Sequence, residues 1–374
     1  MTRDREDAHR EDSNQEDAHD GLDLTATRRR LLQLALGAGG AAALGAGALG
    51  AFPRSAAAAA GGGAFPEHKP WKFAFVNHVT TNPFFVPTQY GIADACALLG
   101  CSYQWTGSQK SVAAEMVNAM NTAIAAKVDG IAVCLVDLHA FNDPVTKAHE
   151  AGIPVFAYNA DAKGNNRLAY IGQDLYLAGK ALGERIVSLV DEGEVVGFIA
   201  TPGQLNIQPR LDGAADAIKA SGKNITLTQI ASGPTVNEEV SRVDAYYVGH
   251  NNVKGMFAVD AGSTMAVGKA MEKYGLHEKG VRAGGFDLLP ETLDAIANGH
   301  LDFTIDQQPY LQGFYTVMEM FLFQMSGGLS GPADINTGLK FITKDGVQPY
   351  LKTQSRYEGN SEKPMLIERS GPIG

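Results

Sequence analysis

The sequence predicts an α/β protein made of two doubly wound parallel-sheet lobes, and three observations carry that reading. Strand-like and helix-like segments alternate along the body of the chain, the order that builds parallel sheets covered by helices. The run Gly130-Ile-Ala-Val-Cys-Leu-Val136 is continuously apolar, as in a parallel strand buried on both faces. About ten strands over roughly 280 residues divide better into two sheets than into one.

Taken in order, Trp71 to Val79 alternates into a buried strand through Phe73, Phe75 and Val76. Residues 84 to 99 carry an apolar helical period, Ser102 to Thr106 reads as a strand and 111 to 126 as a helix. After the run at 130–136, another helix leads to the strand Ile153-Pro-Val-Phe-Ala-Tyr158. The pattern then repeats. Helices are expected over 175–190, 210–221, 237–249, 263–274 and 290–298, with strands at Val195–Thr201, Ile225–Ala231, Gly255–Val259, Val281–Phe286 and Phe303–Gln307.

In such sheets ligands bind beyond the carboxyl ends of the strands, so the residues there are the candidates for function. His78 and Thr80-Thr81-Asn82-Pro83-Phe84-Phe85 follow the first strand, Asn159 and Asp161 the strand ending at Tyr158, and Asp174 the segment Tyr170-Ile171-Gly172. Gln204, Asn206, Gln208 and Arg210 follow the strand ending at Thr201; Asp260, Asp287 and Gln307-Gln308 end theirs. A polyhydroxylated ring needs carboxylate acceptors, amide and guanidinium partners, and flat aromatic faces for its C–H side. Each residue has a plainer use. Asn82, Asp260 and Asp287 suit helix caps, Phe84 and Phe85 suit a core, Arg210 could pair with Asp212 or Asp216, and His78 could be a satisfied interior polar group. The coincidence of such groups at nearly every strand end favours a shared site.

Composition narrows the class. The net charge of −10 offers no basic footprint for phosphates, so nucleic-acid binding is not expected. The three cysteines, Cys96, Cys101 and Cys134, are too few for a disulfide framework; Cys96 and Cys101 either bridge locally or serve as small buried hydrophobes. Residues 1 to 26 are polar and charged, followed by Thr27-Arg28-Arg29-Arg30 and an uncharged Ala/Gly/Leu stretch to Phe52. The arginine pair resembles a twin-arginine export signal, and Ala56 to Ala60 supply small residues for cleavage. A retained anchor is the alternative, weakened by the many glycines. Either way the folded body is expected outside the cytoplasm, at the periplasmic or extracellular face.

Six segments occur in the order and at the spacing of a known family: Asn82-Pro83-Phe84-Phe85, Ala151-Gly152-Ile153-Pro154-Val155, Arg210-Leu211-Asp212-Gly213, Met265-Ala266-Val267-Gly268, Gly285-Phe286-Asp287 and Asp306-Gln307-Gln308-Pro309. Over about residues 70 to 350 the chain resembles the ribose-binding-like, type I periplasmic substrate-binding proteins of ABC sugar importers. The resemblance implies two lobes joined by three crossovers, near Gly172-Gln173, Gln307-Gln308 and Thr337-Gly338. Lobe one would comprise 69–172 plus 308–336, lobe two 173–307 plus 337–355, with 1–60 a signal and leader and 356–374 an appended tail. It implies ligand contacts at His78, Asn82, Phe84, Phe85, Asn159, Gln208, Asp260, Asp287 and Gln307. Several depart from the ribose pattern: Asn159 stands for an Asp, Ala160 for an Arg, Gln208 for an Arg, Asp260 for an Asn and His78 for a Ser. A different monosaccharide or a sugar alcohol therefore fits better than ribose.

The implied function is capture of that ligand by a monomer and delivery to an ABC permease, with no cofactor. A sensory sugar receptor is the alternative; a sugar-responsive repressor would need an N-terminal helix-turn-helix, where this chain has the arginine pair and Ala/Gly run. Enzyme readings find no support. No dinucleotide fingerprint follows a strand, and there is no P-loop, Gly-x-Ser-x-Gly elbow or His-Glu-x-x-His.

Overall fold

A computed structural model describes residues 67–329 and 331–351; the expected export signal, its linker and the C-terminal tail lie outside these residues. The first sheet takes β1 (Lys72–Asn77), β2 (Ser102–Gly107), β3 (Gly130–Val133), β4 (Val155–Tyr158), β5 (Tyr170–Gly172) and β11 (Asp334–Asn336), in the spatial order β11-β5-β4-β3-β1-β2, all parallel. The second takes β6 (Gly193–Ile199), β7 (Ile225–Ala231), β8 (Gly255–Ala258), β9 (Arg282–Phe286), β10 (Phe303–Asp306) and β12 (Lys340–Ile342), in the order β12-β10-β9-β8-β6-β7. Only β12 runs antiparallel, against β10.

The helices are α1 (Val86–Leu99), α2 (Ala113–Ala125), α3 (Asn142–Glu150), α4 (Leu175–Leu189), α5 (Gln208–Ala220), α6 (Val236–Gly249), α7 (Ala261–Tyr274), α8 (Pro290–Asn298), α9 (Pro309–Met325) and the short α10 (Gln348–Leu351). The fold class is the one expected. Central strands such as β3, β4 and β8 are buried at every position, because helices cover both faces of each sheet. The chain passes between the sheets three times: after β5, after β10 and between β11 and β12.

Two local contacts fix helix ends. Side chains at Gly179 of α4 and Gly213 of α5 would collide with the carbonyls of Arg210 and Tyr176 respectively, so these helices touch backbone to backbone, and that contact fixes the start of α5. The three cysteines are free thiols. The Cys101 N–H bonds the Cys96 carbonyl at 3.0 Å around the left-handed Gly100, so the pair closes the C-terminus of α1 in the manner of a Schellman motif.

Candidate functional site

The carboxyl ends of both sheets open on one small cavity of about 50 Å³, part of it open to solvent. From the first sheet it is lined by His78, Asn82, Phe84, Phe85 and Asn159, from the second by Asn206, Ile207, Arg210, Asp260, Ala261 and Asp287, with Gln307 at a crossing.

Asn82 stands at the start of a single 3₁₀ turn, Pro83–Phe85, where its Oδ1 accepts the Phe84 N–H at 2.9 Å. Capping and lining are thus one role: the cap occupies the carbonyl, and the amide nitrogen makes no hydrogen bond among the described residues. The turn sets Phe84 and Phe85 edge to face, ring centres 4.7 Å apart. Phe85 is wedged between His78, at 5.3 Å, and Trp105, at 5.9 Å. It is therefore both a wall of the cavity and part of the core.

Asn159 and Asp287 have φ of 63° and 76°, a left-handed conformation that Asn accepts readily and that costs other residues about 1–3 kcal/mol. Both occur where a strand breaks off and turns at the cavity rim. Asn159 donates to Gln312 Oε1 at 3.2 Å, and Asp287 accepts from Gln307 Nε2 at 2.6 Å. Burial pushes the Asp287 carboxyl up to about 6, against the pull of the Arg210 guanidinium and the Gln307 hydrogen bond.

Asp260 caps α7, accepting from Ser263 N–H and, with its other oxygen, from Ala200 N–H, each at 2.9 Å. Glu239 of α6, 3% exposed, sets its carboxyl against Gly262 of α7; burial first and then the Asp260 charge push that carboxyl up to about 10. Glu239 is therefore protonated at neutral pH.

Arg210 is buried at 2% exposure. Its guanidinium donates to the Val259 carbonyl at 2.9 Å and to Gln173 Oε1 at 3.1 Å, and lies 4.1 Å from the centre of the Phe286 ring. Its Nε–H has no partner among the described residues. Burial lowers its pKa, while the charge of Asp287 acts in the opposite direction. Two carboxylates and one guanidinium, with amides between them and phenylalanine faces on one wall, offer charged acceptors and donors to neutral hydroxyls.

Eight of the nine residues expected at the site line this cavity, and Gln208 does not. Because α5 begins two residues earlier than expected, Gln208 and Arg210 lie about 200° apart around one helix. Gln208 faces outward, accepting from Gly203 N–H and donating to Asp212 and Gln229. Arg210 shares the inward face with Leu211, Gly213, Ala214 and Ala217. That apolar stripe was the signal available for Arg210, whose expected partners Asp212 and Asp216 lie on the other side. Ile207 and Ala261 carry no polar group and gave none.

The site is tied to all three crossings. Gln173 Nε2 donates to the Gly338 carbonyl at 3.0 Å, while its Oε1 accepts from Arg210. Gln312, fully buried, accepts from Asn159 and donates to Gln307 and Thr337. Among the described residues there is no cluster of His, Cys, Asp and Glu able to hold a metal ion.

Comparison with known proteins agrees with this architecture. Residues 73–324 match the model of the periplasmic binding protein domain. The chain is 50% identical over 314 residues, 80% of its length and 77% of the relative's, to the xylose/arabinose-binding protein XylF of Sulfolobus acidocaldarius. It is 26% identical to the ribose import binding protein RbsB of Escherichia coli, over 63% of this chain and 79% of that one. Among solved structures, an ABC transporter solute-binding protein from Burkholderia graminis in complex with D-arabinose superposes with a TM-score of 0.71 at 27% identity, covering 77% of this chain and all of the other. A carbohydrate transporter from Acidothermus cellulolyticus in complex with myo-inositol gives 0.67 at 25% identity, covering 77% and 99%. With two parallel-sheet lobes, a shared cavity at their strand ends and a family match across most of its length, the chain belongs to the periplasmic binding protein domain family.

Proposed function

We infer that the chain is a solute-binding protein that captures a monosaccharide or sugar alcohol and delivers it to an ABC importer. The observation that carries this reading is the cavity itself: carboxylates, amides and a buried guanidinium converge from both sheets, with phenylalanine on one wall. A pentose is the first candidate, supported by the 50% identity to a protein named for xylose and arabinose and by the neighbour bound to D-arabinose. The ligand contacts are His78, Asn82, Phe84, Phe85, Asn159, Asp260, Asp287 and Gln307, joined by Arg210; Gln208 takes no part.

Lobe one comprises 69–172 plus 308–336 and lobe two 173–307 plus 337–355, a division supported by the positions of the three crossings. The ligand settles on one lobe, and the second closes over it about the crossings, because only the closed form makes both sets of contacts. Closure sets the lobe surfaces at the spacing the permease reads. The protein acts as a monomer. The arginine pair and Ala/Gly run within residues 1–60 serve as a twin-arginine-type signal that takes the protein to the periplasmic or extracellular side of the membrane.

A thermal-shift panel of pentoses, hexoses and polyols tests this. A ligand at 100 times its Kd adds about 2.7 kcal/mol of stability, several degrees in Tm. D-xylose or L-arabinose is expected to give such a shift; a folded protein silent to the whole panel would contradict the reading.

A further inference from the structure

Tyr170, the first residue of β5, is 8% exposed and does not line the cavity, but its hydroxyl touches the backbone at two places close to it. The phenolic oxygen lies 3.2 Å from the carbonyl oxygen of Asn159 and 3.0 Å from that of Gln173. A phenol has one proton to donate, so that proton is shared between the turn that carries Asn159 and the first residue of the crossing after β5. Burial raises the phenol well above its ordinary range, and it therefore remains a donor.

The sequence makes room for this reach. Tyr170 and Gly172 are two apart on one strand and share a face of the sheet. A side chain at Gly172 would collide with the Tyr170 hydroxyl, so glycine is what lets the ring lie along the strand. The ladder between β4 and β5 ends where the Asn159 N–H donates to the Ile171 carbonyl at 3.1 Å. Asn159 then turns into the left-handed region, φ 63°, and its carbonyl takes the Tyr170 proton. Its side-chain amide is held separately, by Gln312. On the other side of the phenol, the Gln173 side chain accepts from Arg210 and donates to the Gly338 carbonyl. One hydroxyl thus joins a cavity residue of the first sheet to the residue that orients the cavity guanidinium of the second.

We propose that Tyr170 is a positioning residue for the ligand: its hydroxyl holds Asn159 against the first crossing, and so sets the sugar affinity without touching the sugar. This rests on the sugar-binding reading and deepens it. A left-handed turn at a strand end keeps its geometry only while its surroundings determine it. Without the phenolic proton the Asn159 peptide is free to rotate, and the rotation carries its amide away from the ligand.

The test is titration calorimetry of the full chain with D-xylose and L-arabinose, read as a double-mutant cycle. Tyr170→Phe removes the proton and keeps the ring, and is expected to weaken the tighter-bound sugar about fivefold. In Asn159→Gly, where glycine accepts the left-handed turn and the amide is gone, adding Tyr170→Phe costs nothing further. In Phe84→Ala it costs the full fivefold. Gly172→Ala crowds the hydroxyl out with the tyrosine intact; it should reproduce both the loss and its dependence on Asn159, and it carries the test alone if Tyr170→Phe does not fold. A melting curve for each variant measures any cost to the fold, which would lower affinity in both backgrounds alike. Unchanged affinity in Tyr170→Phe, or an equal loss in the Asn159→Gly and Phe84→Ala backgrounds, would overturn the proposal and leave sugar binding standing. Failure of the unaltered chain to bind either sugar would refute the functional reading, and the proposal with it.

Discussion

Asp287 links proton and ligand in a way that can be measured with opposite signs in two experiments. Its carboxyl is 4% exposed, accepts from Gln307 at 2.6 Å and is pushed by burial up to about 6. A ligand hydroxyl donates to the carboxylate and not to the acid, so protonation competes with binding. At pH 5 about one-tenth of the free protein has Asp287 ionised, and the apparent Kd weakens about tenfold relative to pH 7.5, roughly 1.4 kcal/mol. The stability of the free protein moves the other way. A carboxyl whose pKa is higher folded than unfolded contributes stability that is fully present below about pH 4 and is lost as the pH rises through about 6, here about 3 kcal/mol in all. Calorimetry in buffers of different ionisation enthalpy measures the affinity and the release of about half a proton on binding at pH 6; denaturant unfolding of the free chain measures the second effect. Asp287→Asn is expected to flatten the affinity profile and to take about 3 kcal/mol out of the stability profile, whose remaining slope belongs to Asp306 and Glu239, carboxyls that burial pushes up to about 7 and about 10. An affinity unchanged between pH 5 and 7.5, or an affinity whose pH dependence survives in Asp287→Asn, would refute the reasoning.

Replacing Arg210 by Met leaves Asp287 without its cationic neighbour and strips donors from the Val259 carbonyl and Gln173; a loss of about 3–5 kcal/mol in unfolding free energy is expected, with affinity down by two orders of magnitude or more in calorimetry. Phe84→Ala is expected to weaken binding by lost contact with the sugar's C–H face while retaining the fold, whereas Phe85→Ala, which also empties the space between His78 and Trp105, should cost about 3–5 kcal/mol of stability as well. Tm measured beside Kd separates the two. Gln208→Ala should bind as the unaltered chain does, because its side chain is engaged outside the cavity by Gly203, Asp212 and Gln229.

The strands that could be read from the sequence are those buried on both faces, such as β3 and β4, where every position is apolar or small. β11 and β12 could not be read: each has three residues at a sheet edge, β11 largely exposed and β12 buried only at Ile342, so neither alternation nor an apolar run marks them. The strand ends pointed to Asn82, Asn159, Asp260, Asp287 and Gln307 because a parallel sheet brings such ends together. The choice between cap and site at Asn82 and Asp260 had no answer in sequence, since each side chain does both. Gln208 stood in for Arg210 because a shift of two residues along a helix exchanges its faces, and the start of α5 depends on the contact of Gly179 with Arg210 across two helices. Glu239 could not be linked to Asp260, because only packing of α6 against α7 joins them.

The most direct test of the sugar-binding account is a crystal structure of the chain grown with the pentose that stabilises it most. The account predicts one sugar ring between the two sheets, its hydroxyls bonded to Asp260, Asp287, Arg210 and the amides of Asn82, Asn159 and Gln307, with Phe84 against a ring face. A ligand bound elsewhere, or a sugar in this cavity that touches neither carboxylate, would contradict it.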